Sequence, residues 1–257
     1  MDELARQTTT DVADADLSVA VVPTGSTEQH GPALPLGTDT YAATHFATVA
    51  AERDDTVRTP AIPVGVSPHH RHFDGTLWVG EETFRRYVEE VVRSFAADGI
   101  RRVVIVNGHG GNTNALERVA RRVRADGVAA VVPWSWGAAI EDELADAFED
   151  PGGHACHGET SLLWAIDEAH VRPDRLEAAA AGAPPGWGHT VHGGTLGLDT
   201  IDFTPTGAVG DPTAASVAVG EELLAAAEAE LRACVDRLAD APLEDLVADA
   251  HPLHPGE

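Results

Sequence analysis

Two kinds of hydrophobic pattern alternate along the chain. Continuous apolar runs, typical of buried strands, cover residues 17–22, 57–64, 101–106 and 128–133. Apolar side chains recurring every three or four positions, typical of amphipathic helices, cover residues 40–53, 81–97, 113–125, 138–148, 160–169 and 215–238. This alternation predicts an α/β fold: a three-layer α/β/α sandwich with a largely parallel, mixed central sheet.

The pattern shows no internal repeat and no stretch with the composition of a linker. We therefore expect a single domain over residues 1–257, with a core at about 17–240, a short acidic N-terminus and a C-terminal tail containing Pro and His. His251 and His254 in that tail are not expected to be catalytic. Residues 180–212 are rich in Gly and Pro and contain Trp187, which predicts a functional loop or an interface arm.

The charge balance narrows the possible partners. The 257 residues include 42 acidic and 17 basic side chains, a formal net charge of −25, and every basic residue is Arg. So acidic a surface repels nucleic acid and anionic membranes, so neither is expected as a partner. Acidic residues spread along the whole chain predict a salt-rich cytoplasm, as in a halophilic archaeon. An ordinary acidic protein from a GC-rich genome is the alternative.

Neither the cysteines nor the apolar segments indicate a specific function. Cys156 and Cys234 form no disulfide framework in a chain of this length, and the residue types around Cys156 suit metal binding better than nucleophilic catalysis. We see no signal peptide and no apolar run approaching the roughly 18 residues of a membrane span. A cytoplasmic location is therefore expected.

Three polar segments, residues 24–31, 107–112 and 154–161, each follow or open a regular element. Together with Asp39, near the start of the helix predicted over residues 40–53, they supply five residues of metal-ligand type: Glu28, His30, Asp39, His109 and Glu159. Side chains two positions apart in extended chain point the same way, so Glu28 and His30 can reach one site. Mixed imidazole and carboxylate ligands suit Zn²⁺, Mn²⁺ or Fe²⁺.

Each segment also has a simpler explanation. Asp39 could cap a helix, the glycines around His109 could form a tight turn, and Glu159 at a helix start is favoured by the helix dipole. Taken together, the segments favour a site for two divalent ions, in which the two oxygens of Asp39 could bridge the pair. Two such ions can hold a bridging hydroxide and polarise a carbonyl, which indicates a hydrolase.

These segments resemble the motifs of the creatininase (creatinine amidohydrolase) family from about residue 17 to 235. The resemblance lies in Gly25-Ser-Thr-Glu-Gln-His-Gly31, Leu34-Pro-Leu-Gly-Thr-Asp39, Asn107-Gly-His-Gly-Gly-Asn112 and His154-Ala-Cys-His-Gly-Glu-Thr-Ser161. Residues 65–76 are similar to a further family segment, with His70 at its histidine. The resemblance implies a layered α/β fold, two divalent metals per subunit, hydrolysis of a non-peptide amide and often a homohexamer.

The chain departs from the family pattern at three positions. Creatinine-cleaving members take a ligand from a Glu two residues after the loop histidine, where this chain has Gly111. The resemblance to members with the same glycine-rich loop implies Glu159 as the fifth ligand instead. His69 stands where the family often has Glu, and Asp74 where it often has Pro. These differences weaken creatinine itself as the expected substrate.

The other candidate residues surround the predicted metals. His70, His154 and His157 are candidates for protonating the leaving nitrogen, and Glu159 joins them as a catalytic candidate. The expected substrate-binding residues are Gly110, Gly111, Asn112, Trp134 and Trp136. For the tryptophans, core packing is an equally good explanation.

The sequence thus predicts a metal-dependent amidohydrolase that cleaves a cyclic amide or formamide of a small molecule. A creatinine-like compound is one candidate substrate. The resemblance suggests another, the formylaminopyrimidine nucleotide of riboflavin and deazaflavin (F420) biosynthesis, although Arg71 is the one cation found near a predicted site segment. A non-catalytic, metal-binding scaffold that retains the fold is the alternative function.

Overall fold

A parallel four-stranded sheet forms the centre of the protein. The computed structural model describes residues 3–150 and 152–247, so the tail with His251 and His254 lies outside the described residues. The sheet order is β2-β1-β3-β4. Its strands are β1 Val19–Thr24, β2 Thr56–Arg58, β3 Arg102–Asn107 and β4 Ala130–Trp134. All three pairings are parallel, so the antiparallel contribution implied by a mixed sheet is absent from the described strands of this sheet.

Helices cover both faces of the sheet. The α-helices are α1 Thr9–Asp14, α2 Thr38–Ala50, α3 Glu81–Ala97, α4 Thr113–Ala125, α5 Trp136–Ala139, α6 Glu141–Ala147, α7 His157–Ile166, α8 Leu176–Ala180, α9 Val217–Asp240 and α10 Leu243–Leu246. Short 3-10 helices lie at Leu4–Arg6, Pro68–His70, Gly110–Asn112, Glu168–His170, Pro173–Arg175, Thr200–Asp202 and Pro212–Ala214. Within the described residues, no helix combines the length and apolar composition needed to cross a membrane.

Alternation along β1 divides the interior into two cores. Val19 and Val21 face one way and join the core that contains side chains of α2, α7 and α9. Ala20 and Val22 face the other way and join the core formed with α3 and α4. Because successive side chains of a strand point to opposite faces, a fully buried strand needs helices on both sides. The predicted α/β/α layering is confirmed.

Most element boundaries differ from the sequence prediction by a few residues. The apolar run 57–64 gives a strand of only three residues at the sheet edge, because Pro60 and Pro63 cannot donate to a ladder. The predicted helix over 138–148 is two helices that meet at Ile140. Residues 180–212 contain the end of α8, 3-10 turns and a short antiparallel hairpin of β5 Thr190–Val191 and β6 Gly194–Thr195.

The site depends on where β1 and β3 end. Thr24 and Asn107 are paired in register, so the loops that follow them leave the sheet side by side. α2 begins at Thr38 and places Asp39 in its first turn, and α7 begins at His157 and does the same for Glu159. In an open parallel sheet, the carboxyl ends of the strands form the usual ligand crevice.

Candidate metal centre

Two glycines allow the loops that follow β1 and β3 to pack directly against the backbone of α2. A Cβ on Gly108 would lie 2.1 Å from the carbonyl oxygen of Asp39, and one on Gly25 would lie 2.6 Å from the Thr40 backbone. Any side chain at these positions would push α2 away from the sheet. The contact therefore brings the first turn of α2 against the loops that carry Glu28 and His109.

All five predicted ligands meet here. His109 Nδ1 lies 3.1 Å from Glu28 Oε1 and 3.2 Å from Asp39 Oδ2. The other Asp39 oxygen, Oδ1, lies 3.1 Å from His30 Nε2. Three compact groups result: Glu28 with Asp39 and His109, His30 with His154 and Glu159, and Glu28 with His70 and His154. The ligand atoms of each group lie within 4.8 Å of one another. Asp39 thus places one oxygen beside His109 and the other beside His30.

The carboxylates have few hydrogen-bond donors. Glu28 is fully buried and Asp39 is almost so, yet among the described residues both oxygens of Glu28 and Oδ2 of Asp39 have no partner besides the neighbouring histidines. Buried carboxylate oxygens without donors are costly, so native proteins satisfy them with hydrogen bonds or cations. Oxygens and imidazole nitrogens converging on the same space fit divalent metal ions.

Three histidines of the cluster each contact a backbone carbonyl oxygen through one ring nitrogen. His109 Nε2 contacts the carbonyl oxygen of Val66 at 3.1 Å, and His30 Nδ1 contacts that of Glu28 at 3.2 Å. His154 Nε2 contacts that of Gln29 at 2.7 Å. A carbonyl oxygen only accepts, so each histidine donates from this nitrogen. The opposite ring nitrogen then faces the carboxylates, where it can bind a cation in place of a proton.

Burial and mutual charge shift the pKa values of the cluster. Burial lowers the pKa of His30, but the carboxylates of Asp39, Glu159 and Glu28 outweigh the effect of burial and raise the pKa to about 9. The same competition, with Glu28 and Asp39 as the dominant charges, raises the pKa of His109 well above its usual range. Without metal, both histidines therefore hold protons on the nitrogens that face the carboxylates, where a cation would replace them.

The carboxylates shift in opposite directions. Burial raises the pKa of Glu159 to about 7, and it also raises the pKa of Glu28, with His109 as the largest opposing influence. Burial opposes ionisation of Asp39 too, but His30 and His109 outweigh it and hold its pKa below its usual range. Asp39 is thus the permanent anion at the centre of the cluster.

A cavity of about 400 Å³ opens onto the cluster. Glu28, Asp39, His109, His154 and Glu159 line it on the metal side. The rest of its lining comprises His69, His70, Gly110, Gly111, Gly153, Trp187 and Leu198. Another cavity of about 450 Å³ lies between residues 59–64 and α3, but its lining is almost entirely apolar and lacks metal-ligand residues. Of these two cavities, the one beside the cluster is therefore the candidate site.

Trp187 is a site residue that sequence reasoning assigned only to a functional loop. Its ring centroid lies 5.7 Å from that of His69 and 5.8 Å from that of His70, at the mouth of the cavity. It is 42% exposed, so it covers the site without being part of the core. The length of the loop was the one available signal, because no spacing rule connects residue 187 with residues 69 and 70.

The glycine at position 111 is explained by its surroundings. A Cβ there would lie 2.3 Å from the Val66 carbonyl oxygen and 2.4 Å from His109 Nε2. A glutamate at this position would thus disrupt the hydrogen bond that orients His109. This structural conflict accounts for the departure from the motif noted above.

Two of the predicted polar residues lie outside the cavity lining. His157 Nδ1 is 3.3 Å from the carbonyl oxygen of Asp211, and its ring packs on Phe148 at 3.9 Å, which corrects its assignment as a catalytic candidate. The Asn112 side chain donates to the Gly25 carbonyl oxygen at 3.1 Å and accepts from the Val66 amide at 2.9 Å. Asn112 therefore ties loops together and is not free to bind substrate.

The two tryptophans are also corrected. Trp134 and Trp136 belong to the core between the sheet and α9. The Trp134 ring meets the Phe46 ring edge-on at 5.3 Å. Trp136 borders a gap of only about 10 Å³ behind Asp39 and Glu159. Core packing, the alternative explanation, accounts for both positions.

Comparison with known proteins identifies a family and relatives for this chain. A family profile described as "Creatininase: Creatinine amidohydrolase" matches residues 5–235. This chain belongs to the creatininase family. The family match confirms the resemblance that the sequence motifs indicated.

Relatives of this creatininase-family chain are hydrolases with different substrates. It is 36% identical over 249 residues to the "Mycofactocin precursor peptide peptidase" of Mycobacterium tuberculosis, covering 92% of this chain and 90% of that protein. It is 30% identical to the "3-dehydro-scyllo-inosose hydrolase" of Thermotoga maritima, with coverage of 79% and 71%. A solved creatininase structure matches with a TM-score of 0.77 at 21% identity, covering 93% of this chain and 98% of that one.

Proposed function

We propose that this creatininase-family chain is a two-metal amidohydrolase. The observation that carries the proposal is the set of buried carboxylate oxygens whose partners among the described residues are the neighbouring histidines, with all these ligand atoms converging on the same space. Glu28, Asp39 and His109 would hold one ion, and His30, Asp39 and Glu159 the other. Similar solved creatininase structures are described as a zinc–zinc form and a manganese form, which supports Zn²⁺ or Mn²⁺, with Fe²⁺ as a further candidate.

When bound, two divalent ions lower the pKa of a water molecule to near neutrality and polarise a carbonyl group. Of the predicted proton carriers, His154 has the suitable orientation. Its Nε2 donates to the Gln29 carbonyl oxygen, so Nδ1 is free to accept a proton from water and pass it to the leaving nitrogen. Burial, reinforced by His30, lowers the pKa of His154 well below its usual range, which keeps that lone pair available.

The cavity lining favours a neutral substrate. Among the described lining residues there is no arginine, the chain has no lysine, and Arg71 forms an ion pair with Asp199. The backbone at Gly110 and Gly111 is the remaining candidate for binding an anion. A nucleotide phosphate would therefore find little compensation, so we favour a small, neutral cyclic amide or formamide over the formylaminopyrimidine nucleotide. Trp187 is proposed to pack against this substrate.

A peptide is the second candidate substrate. The observation that favours it is the 36% identity to the mycofactocin precursor peptide peptidase, compared with 30% to the inosose hydrolase and 27% to the creatinine amidohydrolase of Pseudomonas putida. The same metal chemistry would cleave a peptide C–N bond if the chain end could enter beside Trp187.

A substrate panel tests both versions. The metal-loaded protein is incubated in high salt with creatinine, formamides, the formylaminopyrimidine nucleotide and short peptides, and released amines or formate are measured. Turnover of any member that disappears in Asp39→Asn supports an amidohydrolase, and the preferred member selects the substrate class. Two bound metals without turnover of any amide would favour the non-catalytic scaffold.

We also propose the salt environment and the oligomeric state of the enzyme. The net charge of −25 with Arg as the sole cation supports a cytoplasm of high salt, as in haloarchaea. The family resemblance supports one domain per subunit and a homohexamer. Light scattering in molar KCl is expected to give about six times the subunit mass of 26.9 kDa, and a monomer would contradict the assembly.

A further inference from the structure

Gln29 lies buried between two predicted ligands, and its amide is fixed at both ends. Oε1 accepts from the Gly31 amide at 2.9 Å, and Nε2 donates to the Gly207 carbonyl oxygen at 3.1 Å. A backbone N–H can only donate and a backbone C=O can only accept. These two contacts therefore determine which end of the amide carries the hydrogens.

The backbone around residue 207 is shaped to fit this amide. Gly207 has φ +88°, and a Cβ there would lie 1.7 Å from Gln29 Oε1. Its own amide donates to Thr204 Oγ1 at 3.2 Å. A residue with a side chain would lose the positive φ and collide with the glutamine, so Gly207 keeps the amide in place.

The second hydrogen of the fixed amide determines the tautomer of His70. Gln29 Nε2 lies 2.8 Å from His70 Nδ1 and 2.9 Å from His154 Nε2. His154 Nε2 donates to the Gln29 carbonyl oxygen and cannot also accept, so His70 Nδ1 accepts this hydrogen and therefore carries no proton. A neutral His70 then holds its proton on Nε2, 3.5 Å from Glu28 Oε1 and facing the cavity. The hydroxyl of Thr200, 3.1 Å from the same Nδ1, can donate or accept and so determines nothing alone.

The same glutamine gives His154 the opposite tautomer. His154 Nε2 is 2.7 Å from the Gln29 carbonyl oxygen, to which it donates. His154 thus presents a lone pair toward the metal cluster, whereas His70 presents an N–H. Two histidine rings 4.5 Å apart are assigned different roles by one residue.

We propose that Gln29 is a positioning residue that holds His70 as a neutral hydrogen-bond donor to the oxygen of the substrate carbonyl as it gains charge. This rests on the amidohydrolase function proposed above. His70 does not protonate the leaving nitrogen, because giving up its single proton would leave an imidazolate; that transfer is left to His154. A donor aimed at a developing oxyanion typically contributes about 10²–10³-fold to kcat.

The test compares Gln29→Leu with the matched control Thr200→Val, which removes the other partner of the same nitrogen. ¹⁵N NMR of the zinc-loaded, histidine-labelled protein, with the His70 signal assigned from His70→Gln, should show protonated Nε2 and unprotonated Nδ1 in the wild type and in Thr200→Val. Gln29→Leu should give a mixture of tautomers. Its kcat should fall roughly 10- to 100-fold with two metals retained and the pH profile of kcat unchanged.

His70→Gln, which keeps an N–H at the position of Nε2, should retain kcat within about tenfold, whereas His70→Leu should lose about 10²–10³-fold. A proton on His70 Nδ1 in the wild type would overturn the proposal, as would a single Nε2–H tautomer with normal kcat in Gln29→Leu. Loss of metal with unchanged kcat per loaded site would also overturn it. If the wild type turned over no amide, the proposed function would fail, while the spectrum would still report the tautomer.

Discussion

The metal centre and the outer surface of α3 and α4 both contain charged side chains. Those of the metal centre are buried, whereas those of the surface are paired and reach water. On the surface, Arg85 lies 2.7 Å from Glu82 and 2.5 Å from Glu89, and Arg93 bridges Glu89 and Asp126. These carboxylates have cationic partners and access to water. The buried carboxylates of the candidate metal centre have too few donors, which favours a cation there. An abundance of charge thus indicates a site only where solvation and pairing are both lacking.

The substitution Asp39→Asn should give the largest effect and so tests most strongly the difference between the metal centre and the α3–α4 surface. This change keeps the shape of the side chain but removes the anion between the two proposed metal sites, so both metals should be lost. We expect kcat/KM to fall at least about 10³-fold, which corresponds to about 4 kcal/mol of transition-state stabilisation. Elemental analysis and kinetics measure the outcome. Asp126→Asn, on the α3–α4 surface, should retain both metals; two equivalents retained in Asp39→Asn would show that Asp39 is not the bridge.

Metal removal should have the next largest effect. A ligand that binds only the folded state at 100 to 1,000 times its Kd stabilises that state by roughly 3–4 kcal/mol. Chelation should therefore lower the free energy of unfolding by about this amount in a denaturant titration at constant salt. Unchanged stability after complete removal would mean that the buried carboxylates are satisfied without a cation.

Metal affinity should depend on pH with a change of slope near pH 7. In the metal-free protein, His30 keeps its proton up to about pH 9 and Glu159 up to about pH 7, and metal binding displaces both. Metal affinity should rise with pH throughout the range from 6 to 8.5. The rise should be steeper below pH 7, because metal binding there also displaces the Glu159 proton, which adds about a tenfold change in affinity per pH unit. Competition titrations with a metal buffer measure this. Glu159→Gln should remove the additional steepness, and a pH-independent affinity would contradict the assigned pKa shifts.

The surface region should give the smallest effect. Arg93→Ala breaks contacts with Glu89 and Asp126, but its side chain is about one-third exposed. Exposed ion pairs of this kind typically contribute about 1 kcal/mol or less and are weakened by salt. Denaturant unfolding at low and high KCl should show a small loss that shrinks with salt. A loss as large as that caused by metal removal would erase the distinction between the two regions.

The layered fold could be predicted because its signal is local. The apolar runs at β1 and β3 and the periodic faces of α3 and α4 each report their own burial, and their alternation limits the topology to a few choices. The edge strand β2 was overextended in the prediction, because an apolar run does not show where ladder pairing stops. Ile140 interrupts the predicted helix at 138–148 although it is apolar and buried, so hydrophobic spacing could not reveal the break.

The site was predictable where motif residues flank strand ends, and less so where contacts depend on the third dimension. Glu28, His30 and His109 follow β1 and β3, whose parallel pairing brings them together. Trp187 reaches the cavity from a loop with no periodic signal. Trp134, on β4, was expected to face a substrate, but strand geometry turns it into the core beside Phe46. Sequence spacing does not determine which face of a strand a given side chain occupies until the register is known.

The central claim is that these residues bind two divalent ions. Anomalous diffraction at the zinc edge from crystals grown with zinc tests it most directly. Two peaks should flank Asp39, one within about 2.0–2.2 Å of ligand atoms of Glu28 and His109 and the other at the same distances from His30 and Glu159. No peak between these side chains, or a single peak that Asp39 does not touch, would contradict it.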